Sequence, residues 1–326
     1  MPQSSIMPPV KTIAIINQKG GVGKTTTTAN LGAAVAAMGS SLCLLDLDPQ
    51  CHLTLHMGFD DDSDQPNIYD VIVGEVPLAD VIRPVANNLT LIPASIDLAA
   101  LESELANQPG REQILRRRLA EAHLTTDFLL IDCPPSLGLL TINALAAADE
   151  VIIPLQPHFL ALQGLGQLLR TVDLVHQRIN PNLMVRGVVL CMFERITRLA
   201  NEVVADLQNF FAEARGGPTT WSQARILETV VRRNVKLAEC PSHGESIFSY
   251  DPTCNGAKDY QALAEEFIEF YQPSLEEPAD AKPADAESAD VEQTGSKPTD
   301  VGSPATPAPM PAIAPPTSPD DRGLPS

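Results

Sequence analysis

The string Lys19-Gly20-Gly21-Val22-Gly23-Lys24-Thr25-Thr26 follows a short, almost wholly apolar run at residues 12–16 and precedes an Ala-rich stretch of helical period at residues 29–38, closed by Gly39. Few folds accept a glycine-rich turn between a buried strand and a helix. Glycines let consecutive backbone N–H groups turn toward an anion, and the helix N-terminus adds the positive end of its dipole. In that setting Lys24 can reach β and γ phosphates and the Thr25 hydroxyl can ligate magnesium. The string therefore predicts a nucleotide-phosphate loop spanning Gly20, Gly21, Val22, Gly23, Lys24, Thr25 and Thr26, with ATP and Mg2+ as cofactors.

Six further apolar runs recur at residues 42–45, 89–92, 128–131, 151–155, 185–191 and 226–231. Their hydrophobicity is continuous rather than alternating, as in strands buried on both faces of a parallel sheet. Helical periods at residues 137–148, 160–179, 201–214 and 257–271 lie between or after them. Strands alternating with helices predict an α/β fold with a doubly wound, mostly parallel sheet. Residues 60–74, polar with Gly and Pro, read as a loop.

Two acidic sites sit where such a sheet wants them. Asp132 emerges from the apolar run 128–131, at the carboxyl end of a strand, where α/β sheets place their ligands. It is expected to hold the magnesium, through water, as a Walker B acid does. Asp46 and Asp48 close another apolar run in Asp46-Leu47-Asp48-Pro49-Gln50 and can orient the waters of the metal and the attacking water.

Composition sets the boundaries. From Pro273 to Ser326 the chain holds 12 of its 29 prolines, no aromatic residue and ten acids against three bases. Such a segment cannot bury enough apolar surface to offset its ordering, so residues 273–326 are expected to be a disordered acidic tail, residues 11–272 the ATPase domain and residues 1–10 an extension. Of the formal charge of −19, residues 1–272 keep −12. Attraction to nucleic acid must therefore come from a local basic patch. The six cysteines show no CxxC pair, and the six histidines no metal spacing, so neither set is given chemistry. Reduced thiols and the lack of a leader or an apolar run of membrane-spanning length predict a cytoplasmic protein with no membrane partner.

Lys19 at the head of the loop departs from an ordinary Walker A motif. With Asp46 to Gln50 (DLDPQ), Ile131 to Leu145 (IDCPPSLGLLTINAL) and Arg233 to Gly244 (RNVKLAECPSHG), the chain resembles chromosome-partitioning ATPases of the ParA/Soj family over about residues 11–271. The resemblance implies the deviant Walker A (SIMIBI) P-loop NTPase fold and slow ATP hydrolysis by a sandwich homodimer holding two nucleotides. It further implies DNA binding without sequence preference, stimulation by a ParB-type partner and a nucleoid-associated location. Lys19 would reach the phosphates of the neighbouring subunit, Asp48 would position the hydrolytic water, and Asp46 would support the metal shell beside Thr25 and Asp132. The adenine would sit between the segment near Met192 and the loop at residues 233–241. DNA contact is expected from Arg232, Arg233 and Lys236, with Arg195 and Arg198. Family members usually carry a Pro where this chain has Arg232.

Three other readings share parts of these signals. A partitioning-like ATPase that positions a protein cargo would have the same loop and chemistry. A MinD-like division-site ATPase needs an amphipathic C-terminal helix, and the acidic, proline-rich end offers none. An iron-sulfur reductase needs paired thiols at a dimer axis, whereas Cys133 beside Asp132 reads as a packing cysteine.

Overall fold

The computed structural model describes residues 10–60, 65–158, 160–194 and 198–271, with the side chains of 195–199 excepted. The expected tail and most of the N-terminal extension lie outside the described residues, and the chain divides between Pro273 and Ser274. In chain order the elements are β1 (Lys11–Ile15), α1 (Lys24–Ala37), β2 (Leu42–Asp46), α2 (His52–His56), α3 (Ile68–Val73), β3 (Arg83–Ala86), β4 (Leu89–Ile92), α4 (Leu101–Glu104), α5 (Ile114–Ala122) and β5 (Phe128–Asp132). There follow α6 (Leu139–Ala147), β6 (Glu150–Leu155), α7 (Ala161–Arg178), β7 (Met184–Phe193), α8 (Arg198–Ala214), β8 (Arg225–Arg232), α9 (Val235–Glu239), α10 (Ile247–Tyr250) and α11 (Asn255–Glu269).

The strands form one sheet in the order β3-β4-β2-β5-β1-β6-β7-β8. The seven apolar runs of the sequence are the seven parallel strands, and only β3 runs antiparallel, against β4. Alternate residues of each run face opposite layers. Ile13, Ile15, Leu42, Leu44 and Leu130 pack with α1 and α11 residues such as Leu31, Val35, Tyr260 and Phe267. Ala14, Cys43, Leu45, Leu129 and Ile131 pack on the other side with Leu145, Leu168, Leu169 and Val172. Burial on both faces is why the runs are unbroken. On α1 the approach to the sheet is close, for a Cβ on Gly32 would lie 2.6 Å from Leu44 Cδ2.

β1 lies between β5 and β6, the point where the chain stops adding strands on one side and begins on the other. A crevice opens at the carboxyl ends of strands at such a switch point. Register brings the acids there: Ile15 pairs with Asp132, and Asp132 with Asp46. At the opposite end of the strands the buried Glu150 carboxylate, first residue of β6, accepts from Lys11 Nζ at 2.9 Å, Arg186 Nε at 2.7 Å and the Tyr271 hydroxyl at 2.7 Å, tying the residue just beyond α11 to the central strands.

Two segments differ from the sequence reading. Part of the polar loop at 60–74 is α3, started by a capping box in which Asn67 accepts from Tyr69 N–H and Asp70 from Asn67 N–H, and ended by Gly74. Ile68, Val71 and Ile72 bury the i, i+3, i+4 face of this single short turn, a period masked by the polar residues before it. β3 has no apolar run because it is an edge strand, half-exposed at alternate residues and able to carry Pro84.

His56 gives the domain a predictable response to acid. Its ring is buried in α2, with Nε2 3.6 Å from Cys240 Sγ, and burial pushes its pKa down to about 4. A depressed histidine pKa means that the unfolded chain binds more protons between about 4 and the ordinary value of 6.5. Stability carried by neutral His56 is complete above pH 6.5, falls as the pH drops below it, and is lost by about pH 4, for a total of roughly 3 kcal/mol. Urea unfolding of His56→Gln and of the native chain between pH 5 and 7.5 should show a shallower loss in the variant. Equal slopes would place His56 outside the acid response.

Candidate functional site

The phosphate loop takes its shape from two left-handed glycines, Gly21 at φ 69° and Gly23 at φ 96°. A side chain at either would strain the turn. Gly23 caps α1 and has no side chain to take up the first-turn N–H groups of this 14-residue helix, the kind of helix end that suits an anion. Val22 buries its side chain beneath the loop, and Lys24 Nζ donates to the Lys19 carbonyl at 3.4 Å. Lys24 is itself buried: desolvation lowers its pKa, and the carboxylates of Asp132 and Asp48 pull it back up.

Thr25 Oγ1 donates to Asp132 Oδ2 at 2.6 Å, and Thr28 Oγ1 lies 3.4 Å from Asp132 Oδ1. Asp132 has no exposure, and its burial beside Asp46 pushes its carboxyl well up, against the pull of Thr25 and Lys24. Asp46 is also fully buried, and burial raises its carboxyl to about 6. Its Oδ2 accepts from both the Thr54 amide and hydroxyl at 2.8 Å, and its Oδ1 from the Asp48 amide at 3.1 Å. The sequence groups Asp46 with the metal residues. In the structure both of its oxygens accept from protein donors. Asp48 Oδ1 accepts from Gln50 N–H at 3.0 Å, and among the described residues no protein donor reaches its Oδ2.

The Thr25 hydroxyl and the Asp132 carboxylate beside the loop are hard oxygen donors, the chemistry that suits Mg2+. Thr25 and Asp132 would hold it, directly or through water. Among the described residues no group of three acids, histidines or cysteines forms a metal cage, as expected for an ion completed by phosphate oxygens and water. When bound, the ion neutralises charge on the β and γ phosphates.

Beside Gly23 and Thr26 opens a mostly apolar cavity of about 310 Å³, walled by Cys191, Met192, Asn234 and Ala238. It occupies the place expected for adenine and suits a flat heteroaromatic ring. Met192 sits in the left-handed region at φ 50°, where β7 and β8 shift register, a strained backbone of the kind that gathers at binding sites.

The basic patch is more encumbered than its sequence suggests. Arg232 Nε and Nη2 grip the nearly buried Asp259 carboxylate at 2.5 to 3.1 Å. Lys236 Nζ donates to Glu239 at 2.8 Å, and Arg233 reaches Glu194 at 3.4 Å while its side chain stays 74% exposed. Arg195 lies outside the described residues, and of Arg198 only the backbone, at the start of α8, is described. Two contacts had no sequence signal. Thr54 lies eight residues beyond its partner Asp46, and His158, 139 residues from Lys19, places Nε2 2.6 Å from Lys19 Nζ.

A phosphate loop at the switch point of a parallel sheet, with acids converging from β2 and β5 and a lysine at its head, defines a P-loop ATPase of the deviant Walker A class. The family profile described as an AAA domain matches residues 10–185. The sporulation initiation inhibitor protein Soj of Bacillus subtilis (strain 168) is 44% identical over 257 residues, covering 78% of this chain and 97% of that protein. The chromosome-partitioning ATPase Soj of Treponema pallidum (strain Nichols) is 44% identical over 259 residues, covering 79% and 97%. Among solved structures, cobyrinic acid a,c-diamide synthase from Mycobacterium smegmatis with bound ATP analogue and magnesium aligns with a TM-score of 0.69 at 36% identity, covering 81% of this chain and 96% of that one. The chain belongs to the ParA/Soj family of chromosome-partitioning ATPases. It is an ATPase whose cofactors are ATP and Mg2+. Among the described residues no helix is long and apolar enough to cross a membrane.

Proposed function

We infer that the chain partitions chromosomal or plasmid DNA as an ATP-dependent dimer at the nucleoid. The observation that carries this reading is the division of labour between two lysines. Lys24 is buried at the loop, where it would serve the phosphates of its own subunit, whereas the exposed Lys19 ammonium lies 2.6 Å from His158 Nε2. A lysine so placed suits the nucleotide of a second subunit, where it neutralises transition-state charge much as an arginine finger does. Asp48, with Oδ2 clear, orients the attacking water. Two protomers closed on two nucleotides put two basic patches on one face, and paired patches retain DNA where a single acidic protomer does not. A ParB-type partner speeds hydrolysis and releases the DNA.

DNA retention in ATP, in ADP and in ATP with a ParB-type partner tests this reading: retention in ATP alone, lost when the partner is added, is the expected pattern. Retention independent of nucleotide would contradict it. Within the patch the structure favours Arg233 and Lys236 as probes, because reversing Arg232 would set a second acid against Asp259. The double variant Arg233→Glu, Lys236→Glu should weaken binding to any duplex about equally and make the salt dependence shallower by about one counterion per lost contact. The single variant Lys236→Glu, whose side chain does not line the cavity beside Gly23, should keep its unstimulated hydrolysis. Loss confined to certain DNA sequences, or native retention, would move the interface elsewhere.

A further inference from the structure

Lys19 is held by a group that it must leave. His158 lies in the loop between β6 and α7, with Nε2 2.6 Å from Lys19 Nζ and Nδ1 3.2 Å from the Leu160 amide. A neutral imidazole offers one in-plane lone pair and one N–H. Both neighbours ask for the lone pair, since an ammonium and a backbone amide have only hydrogens to give. With the proton on Nδ1, Nε2 accepts from Lys19 and the Leu160 amide goes unserved. With the proton on Nε2, the amide is served and an N–H points at an ammonium. The imidazolium serves neither and adds a like charge. The grip on Lys19 thus exists only in the neutral ring, and in one of its two tautomers.

The two halves of this contact are mounted together. The Lys19 amide donates to Asn17 Oδ1 at 3.0 Å, and Asn17 Nδ2 donates to the Pro154 carbonyl at 2.7 Å, four residues before His158. Among the described residues, partial burial lowers the pKa of the His158 ring and the charge of Lys19 lowers it further. The carboxylates of Asp48 and Asp132 act on Lys24 instead, and the loop itself contributes Gln156, Pro157 and Leu160, none ionisable.

We propose that His158 is a positioning residue for Lys19, holding the lysine against its own subunit until the phosphates of a second subunit draw it away. This rests on the dimer reading above. A phosphate wins the exchange because it meets the ammonium with an opposite charge, a Coulombic attraction that the neutral imidazole lacks. His158 therefore sets the protein concentration at which ATP dimers form, and does not forbid them.

Two measurements test this, and the first needs no dimer. In nucleotide-free protein, proton NMR titration of the His158 ring should give a pKa below the ordinary histidine value, rising toward it in Lys19→Gln. An unchanged pKa in that variant overturns the contact. The second compares the dimer midpoint concentration in ATP and Mg2+ for the native chain and His158→Ala. At pH 7.5 the variant should dimerise at about ten- to hundredfold lower concentration, the worth of two net hydrogen bonds, one in each protomer. The midpoint of the native chain should fall as the pH drops from 8 to 6 by more than that of the variant. Equal midpoints and equal pH slopes overturn the positioning role. A native chain that stays monomeric in ATP overturns the dimer reading and with it the trans half of this proposal, while the titration still decides whether Lys19 and His158 meet.

Discussion

Lys24→Ala is expected to abolish ATP binding and turnover while leaving the fold intact. The ammonium is buried beside the loop, where it balances Asp132 and Asp48. Its removal deletes two charge-assisted contacts of about 1.5 to 3 kcal/mol each and leaves buried carboxylates opposing an incoming polyanion. Affinity should fall by at least about a hundredfold, which calorimetric titration with ATP and Mg2+ would read directly. A thermal melt close to the native one would separate this loss from unfolding. Hydrolysis at the native rate would show that the loop does not hold the phosphates.

Asp48→Ala should act on the opposite term. Lys24, the glycine turn and the Thr25–Asp132 pair remain in place, and Asp48 gives up its bond from the Gln50 amide and the oxygen left clear for water. Loss of a group that orients and deprotonates a nucleophile costs typically 10² to 10⁴ in rate. The maximal rate should drop by about that factor, with ATP affinity changed by no more than a few-fold, the pattern of an interaction made only in the transition state. An equal loss of binding and rate would assign Asp48 to nucleotide or metal binding instead.

Much of this architecture was legible in the sequence because the signals are local. A strand buried on both faces is an unbroken apolar run, and a phosphate loop is eight consecutive residues, so seven parallel strands and the loop could be read directly. The acids could be placed at strand ends without knowing which strands adjoin. What could not be read depends on distance along the chain. That Asp46 is consumed by Thr54 and Asp48, that Arg232 belongs to Asp259, and that Lys19 meets His158 are facts of tertiary packing between residues with no shared motif. The edge strand β3 and the short helix α3 escaped for a different reason: an edge needs no apolar run, and six residues are too few for a helical period to stand out.

Lys19 is expected to complete the site of a second subunit only when ATP is present. The most direct test is the molar mass of the Asp48→Ala chain in solution, measured by light scattering with ATP and Mg2+, with ADP and Mg2+, and without nucleotide. A dimer in ATP alone, returned to monomer by adding Lys19→Ala, is the predicted result. A mass that ignores nucleotide, or an ATP dimer that persists without Lys19, would contradict it.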